Sequence, residues 1–270
     1  MSGPLVSPSW LRERLDDTAV RVVDCRFKLG EPGAGKELWR AGHIRGAAFM
    51  DLDGELASEP GERGRHPLPD VEGFQAAARR AGIGADTLVV AYDEASEGGA
   101  ARLWWLLRHF GHERVAVLDG GLRGWRAEGG PLEAGVDQIP PGGFVARERQ
   151  GDTAEAEALA GSLLLDARAP ERYRGEVEPI DPVAGHIPGA VNMPFAELAP
   201  DGRFLAPEEL RARFEATGAA PGRGLVAYCG SGVTACVVLL AAEVAGLGPG
   251  RLYPGSWSEW SGRGLPADRH

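Results

Sequence analysis

The 270-residue chain holds only three cysteines, Cys25, Cys229 and Cys236. So few thiols, odd in number, argue against a disulfide framework and point to a reducing, cytoplasmic setting in which at least one thiol stays free. Basic runs are short. No stretch of Lys or Arg exceeds two residues, and 29 basic against 39 acidic side chains leave a net charge of −10, so nucleic acid is not expected as a partner. The longest apolar run, 233–247, covers 15 residues and contains Glu243, which falls short of the roughly 18 to 20 apolar residues a membrane span needs. No membrane association is expected, and MSGPLVSPSWLRERLDD lacks the basic-then-apolar order of a secretory signal. The histidines and cysteines show no HxxxH or CxxC spacing, so neither a metal nor another cofactor is expected. What the chain has in quantity is turn residues, 40 Gly and 20 Pro, within an otherwise ordinary globular composition.

The organisation follows from an internal repeat. VRVVDCR (20–26) is answered by SLLLDAR (162–168), GHIRGA (42–47) by GHIPGA (185–190), and LVVAYD (88–93) by LVAYC (225–229). The segment from Gly120 to Trp125 is answered by that from Gly255 to Trp260. The order is kept throughout, while the first copy carries an insertion, EPGERGRHPLPD (Glu59 to Asp70), that reads as a polar loop. In each copy short β-branched runs alternate with helical stretches, which predicts an α/β fold: a mainly parallel sheet with helices on both faces, built twice. In the second copy the strands are LLLDAR, AVNMP, GLVAY and RLYPG, and the helices include 207–216 and 233–245. In the first copy 71–81 and 102–110 are the corresponding helices. The expected division is an N-terminal domain over 1–135, a Gly/Pro-rich linker over 136–153 and a C-terminal domain over 154–270.

The chemistry is expected in LVAYCGSGVTACVVLLAAEVAG. Cys229 ends an apolar strand and is followed by a glycine-containing loop and an apolar helix, the position where parallel sheets carry their sites. Backbone N–H groups from Gly230 to Thr234 should converge there on an anion and favour a thiolate, the nucleophilic form of cysteine. Cys236, two turns down the helix, reads as core. Cys25, at a strand end, leaves open a reactive role. A phosphatase loop of the CX5R type would need an arginine six residues after the nucleophile, where this chain has Ala235, so transfer of a single sulfur atom is favoured over phosphate chemistry.

CGSGVTA, VLDGGLRGW and the paired GHI motifs together resemble the tandem-domain rhodanese superfamily over nearly the whole chain. The resemblance implies two rhodanese-like domains, of which only the second is catalytic, with Asp93 standing in the first copy where Cys229 stands in the second. It implies a sulfurtransferase that takes sulfane sulfur from 3-mercaptopyruvate, or alternatively thiosulfate, onto Cys229 as a persulfide. Cyanide or a thiol then accepts it; a persulfide carrier for a protein partner is the remaining alternative. It further implies an active cleft between the copies and donor binding by Arg172, Gly230, Ser231, Gly232, Val233 and Thr234. Proton movement is assigned to Ser231 and, from the first copy, His43. A second donor-binding arginine is typical just before the second GHI motif, where this chain has Ile180, so the clamp is expected to be incomplete. Oligomeric state is left open.

Overall fold

The computed structural model describes residues 3–135, 139–222 and 224–269. They divide into two compact units: 1–58, 69–149 and 201–203 form the first, and 59–68, 150–200 and 204–270 the second.

In the first unit the strands are β1 (Leu5–Val6), β2 (Val20–Asp24), β3 (His43–Ile44), β4 (Ala48–Phe49), β5 (Leu88–Tyr92), β6 (Val115–Leu118) and β7 (Leu132–Glu133). Five of them make one all-parallel sheet in the order β1-β6-β5-β2-β4, while β3 and β7 form a separate antiparallel pair. The helices are α1 (Pro8–Arg12), α2 (Ala34–Ala41), α3 (Val71–Arg80), α4 (Gly99–His109) and α5 (Gly121–Ala127). Asp70 starts α3 by accepting the Gly73 N–H at 2.7 Å, and Arg79 and Arg80 close it, the charge order a helix dipole favours. Trp104 and Trp105 lie buried on α4, as a core face requires.

The second unit repeats the plan with β8 (Leu163–Asp166), β9 (Val191–Asn192), β10 (Leu225–Tyr228) and β11 (Arg251–Leu252), parallel throughout and ordered β11-β10-β8-β9. This is the order of the first unit without its β1 edge. Both central strands, LVVAY and LVAY, read as continuous apolar runs because helices cover both faces of a parallel sheet. The helices are α6 (Pro170–Tyr173), α7 (Phe195–Leu198), α8 (Pro207–Ala216), α9 (Ala235–Val244) and α10 (Ser256–Gly262). Residues 235–242 of α9 are buried at every position, which is why this helix is apolar all round. It packs against α7, α8, β10 and β11. Among the described residues no helix is long and apolar enough to cross a membrane.

The repeated motifs build the same joints twice. Arg26 is paired with Asp24 at 2.6 Å and donates to the Gly42 carbonyl at 2.7 Å; Arg168 makes the same two bonds to Asp166 and Gly185 at the same distances. All four charges are buried, so each pair needs its partner and the carbonyl to offset desolvation. Trp125 donates to the Pro131 carbonyl and Trp260 to that of Pro266.

Two expected boundaries move. The stretch anticipated as linker is in large part first-unit structure: Gly142, Phe144, Arg147 and Arg149 donate their N–H groups to Arg79, Ile83, Phe110 and His109, which ties an irregular segment down through its backbone. Residues 136–138 of that stretch lie outside the described residues. The insertion, read as a loop of the first copy, folds from Glu59 to Leu68 with the second unit. Gly61 and Gly64 exchange backbone hydrogen bonds of 3.0 Å. Gly64 is in the left-handed region, and a Cβ there would lie 2.7 Å from the Gly255 carbonyl, so only glycine lets the loop seat against the start of α10.

Candidate active site

Cys229 follows the last residue of β10, and the turn 230–234 carries the chain into α9. The helix begins at Ala235 rather than Val233, because Val233 and Thr234 close a tighter first turn by accepting the N–H groups of Cys236 and Val237. The Cys229 side chain is folded back over its own loop: Sγ accepts from Gly232 N at 3.1 Å and from Ser231 N at 3.4 Å. Gly232 has φ +77°, and a Cβ there would come 2.5 Å from the Pro254 carbonyl. Among the described residues the N–H groups of Gly230, Val233 and Thr234 have no acceptor in the protein, which leaves donors for an anion at the head of a ten-residue helix. The Cys229 N–H is held by the Ser256 hydroxyl at 3.1 Å. That hydroxyl in turn donates to the Tyr253 carbonyl, and Ser256 itself is fully buried with φ +52°, a conformation that costs a non-glycine residue energy.

Three further side chains of the second unit stand beside the loop. His66 Nδ1 is 2.7 Å from Ser231 Oγ, with both residues buried. Arg172 is paired with Glu178 at 2.6 Å and Asp181 at 3.3 Å, and Arg65 with Asp181 at 2.8 Å. A methyl group placed on Gly230 would lie 3.0 Å from Arg65 Nη2 and 3.6 Å from Arg172 Nη1, so two guanidinium groups face one point on the loop. Arg168 is committed to Asp166 and Gly185, with further pairing to Glu178, as its motif role requires.

The imidazole bonded to Ser231 is that of His66, a residue the sequence reading did not name. His43 is buried in the first unit, stacked on Trp39, with Nδ1 2.7 Å from the Trp39 carbonyl. His186, its repeat partner, stacks on Tyr173 with Nδ1 2.7 Å from that residue's carbonyl. The same bond in both copies marks a structural duty of the GHI motif. Arg65 and His66 were not anticipated from the sequence. The available signal was an insertion carried by one copy alone, with Arg and His adjacent in a Pro-rich stretch. Cys236 is core, its thiol donating to the Gly232 carbonyl. Cys25 is fully buried, and burial, reinforced by Asp24 and Asp93, pushes its thiol well above the usual range, which disfavours the thiolate.

A family model described as "Rhodanese-like domain" matches twice, over residues 7–128 and 150–263. The chain belongs to the tandem-domain rhodanese family of sulfurtransferases. Among rhodanese relatives, a Pseudomonas aeruginosa protein provisionally named 3-mercaptopyruvate sulfurtransferase is 46% identical, covering 96% of this chain and 95% of its own. A Mycobacterium tuberculosis protein provisionally named thiosulfate sulfurtransferase is 45% identical over 90% of this chain and 88% of its own. The structure of 3-mercaptopyruvate sulfurtransferase from Leishmania major superposes with a TM-score of 0.87 at 30% identity, covering 97% of this chain and 75% of that one. Within the rhodanese family the paired matches coincide with the repeat seen in the sequence, and residues 229–234 form the loop between strand and helix in the second match.

Proposed function

We propose that this chain transfers sulfur from 3-mercaptopyruvate to a small thiol or cyanide through a persulfide on Cys229. The observation that carries the reading is the pairing of a sulfur held over backbone N–H donors with a Ser231–His66 hydrogen bond beside it. The Cys229 thiolate attacks the donor sulfur, forming an S–S bond. The donor's C–S bond breaks, and its electron pair stays on carbon as the enolate of pyruvate. The donor's thiol proton must leave sulfur and a proton must reach that carbon, so the step is neutral overall if one proton is passed along. Ser231 and His66 supply a hydroxyl and an imidazole in contact for that transfer. The cradle of N–H groups holds the anionic persulfide, and no metal is called for. In the second half-reaction cyanide or a thiolate takes the outer sulfur and Cys229 leaves as thiolate, restoring the starting state.

Arg172 and the loop residues Gly230, Ser231, Gly232, Val233 and Thr234 bind the donor in this reading. Three free thiols fit a reducing, cytoplasmic compartment. Thiosulfate is the second reading, favoured by the Mycobacterium tuberculosis relative's name. Thiocyanate formation from cyanide separates the two, with Cys229→Ser as the blank. A higher kcat/KM with 3-mercaptopyruvate is expected; a higher value with thiosulfate reverses the donor assignment. Stoichiometric sulfuration without turnover on any small acceptor would make the protein a carrier instead.

A further inference from the structure

The expected clamp for the donor's anionic group lacks its second arginine, since Ile180 occupies that place and is partly exposed. We propose that Arg65, from the insertion that only the first copy carries, supplies the missing guanidinium and sets the requirement for an anionic donor. This inference rests on the sulfurtransferase reading above and assigns a residue to that site.

Arg65 is built into place. Its N–H donates to Ser258 Oγ at 3.0 Å, one residue after Gly64 seats against Gly255, and its Nη1 is paired at 2.8 Å with Asp181, a carboxylate whose side chain is only 3% exposed. Asp181 also pairs with Arg172, so one buried carboxylate holds both guanidinium groups. Arg172 is further fixed by Glu178 through Nε and Nη2. What remains unused points the same way. Arg65 Nε is buried without a hydrogen-bond partner. Among the described residues Arg65 Nη2 and Arg172 Nη1 likewise have no acceptor, and these are the two atoms nearest the face of Gly230. A buried donor with no partner, here Arg65 Nε, is costly unless a ligand completes it, and the two Nη groups are open to the same ligand. Two guanidinium edges beside the nucleophile loop match a planar, bidentate anion, which describes the carboxylate of a 2-oxo acid. Glu178 and Asp181 are spent on orienting the arginines and lie almost fully buried, so they fix the forks without occupying the unused edges.

The test compares Arg65→Gln with the unmodified protein on three donors: 3-mercaptopyruvate, thiosulfate and mercaptoacetone, which keeps the thiol and ketone but has no charge. Loss of a charge-assisted bond to a donor carboxylate should raise KM about tenfold or more, with kcat nearly held. The fall in kcat/KM on 3-mercaptopyruvate should exceed that on mercaptoacetone by about the same factor. Equal losses on both donors would make Arg65 a scaffold of the loop and overturn the proposal, as would an unaltered KM. If the unmodified protein uses thiosulfate alone, the donor reading fails separately. Arg65 is then judged on the KM for thiosulfate, where a rise with kcat held supports the assignment and no rise overturns it. Should Arg65→Gln not fold, Arg65→Lys decides: it keeps the charge but not the fork, so a selective rise in KM for the anionic donor supports the proposal, and an equal effect on mercaptoacetone overturns it.

Discussion

The two copies of the fold hold the same loop in opposite conditions. After β5 the loop 93–98 is satisfied by its own carboxylate: Asp93, fully buried, accepts from the N–H groups of Ser96, Gly98 and Ala100 at 2.6, 3.0 and 3.2 Å. After β10 the corresponding place holds a sulfur that, among the described residues, accepts two, from Ser231 and Gly232. The third residue of each turn has positive φ, +61° at Ser96 and +77° at Gly232, and donates back to the side chain that starts the loop. The backbone device is therefore conserved between copies while its charge is not. In the first copy the carboxyl is built in and the loop is a structural plug; in the second, under the proposed function, the anion is the persulfide that the reaction forms. Burial raises the Asp93 carboxyl above its usual range and its backbone N–H donors pull it back, so this plug depends on its hydrogen bonds.

The comparison breaks most sharply at the nucleophile. Cys229→Ser should lower thiocyanate formation by about a thousandfold or more, to the uncatalysed background, whereas Cys25→Ser should keep it; the reverse pattern would move the site to the first copy. Removing the acceptor that each loop starts with should divide the outcomes. Asp93→Ala strands three buried donors and should cost about 3 kcal/mol, read as a drop of several degrees in thermal midpoint. Cys229→Ala, which removes a weak sulfur acceptor, should cost less than about 1 kcal/mol. Equal shifts would show that the first loop is not a plug.

Next comes the imidazole. His66→Gln should reduce kcat with 3-mercaptopyruvate about a hundredfold, while His43→Gln should lower the thermal midpoint and hold kcat within about threefold, since its ring sits between the Trp39 carbonyl and Glu133 of its own unit. The smallest effect concerns pH. The Cys25 thiol is raised by burial, so above about pH 8.5, where a free thiol ionises, the unfolded chain releases a proton that the folded chain keeps. This contribution is complete below that pH and is lost as pH rises. Thermal midpoints should fall more steeply from pH 8 to 10 for the native chain than for Cys25→Ala.

The repeat, the parallel strands and the Cys229 loop were legible because each rests on local patterning: apolar runs at strand ends, glycines at the tight turn and an apolar helix immediately after. Helix 207–216 was placed to the residue by its Pro and acidic first turn. His43 was the less legible case, for an equally physical reason. A histidine in a repeated motif has the right chemistry for proton transfer, and only the folded unit shows its ring stacked on Trp39, with Nδ1 at the Trp39 carbonyl and Nε2 3.4 Å from Glu133.

By itself the sequence determined the doubled α/β plan and the place of Cys229 at the head of its loop, with Asp93 at the matching place in the first copy, because both rest on local patterning. Tertiary structure alone decided which side chains surround the nucleophile. Arg65 and His66 lie more than 160 residues before the loop in sequence, and no local spacing encodes that approach. It is set by Gly64 seating against Gly255, by Arg65 pairing with Asp181 and by the Ser231–His66 bond, contacts whose distances exist only once the insertion has folded with the second unit.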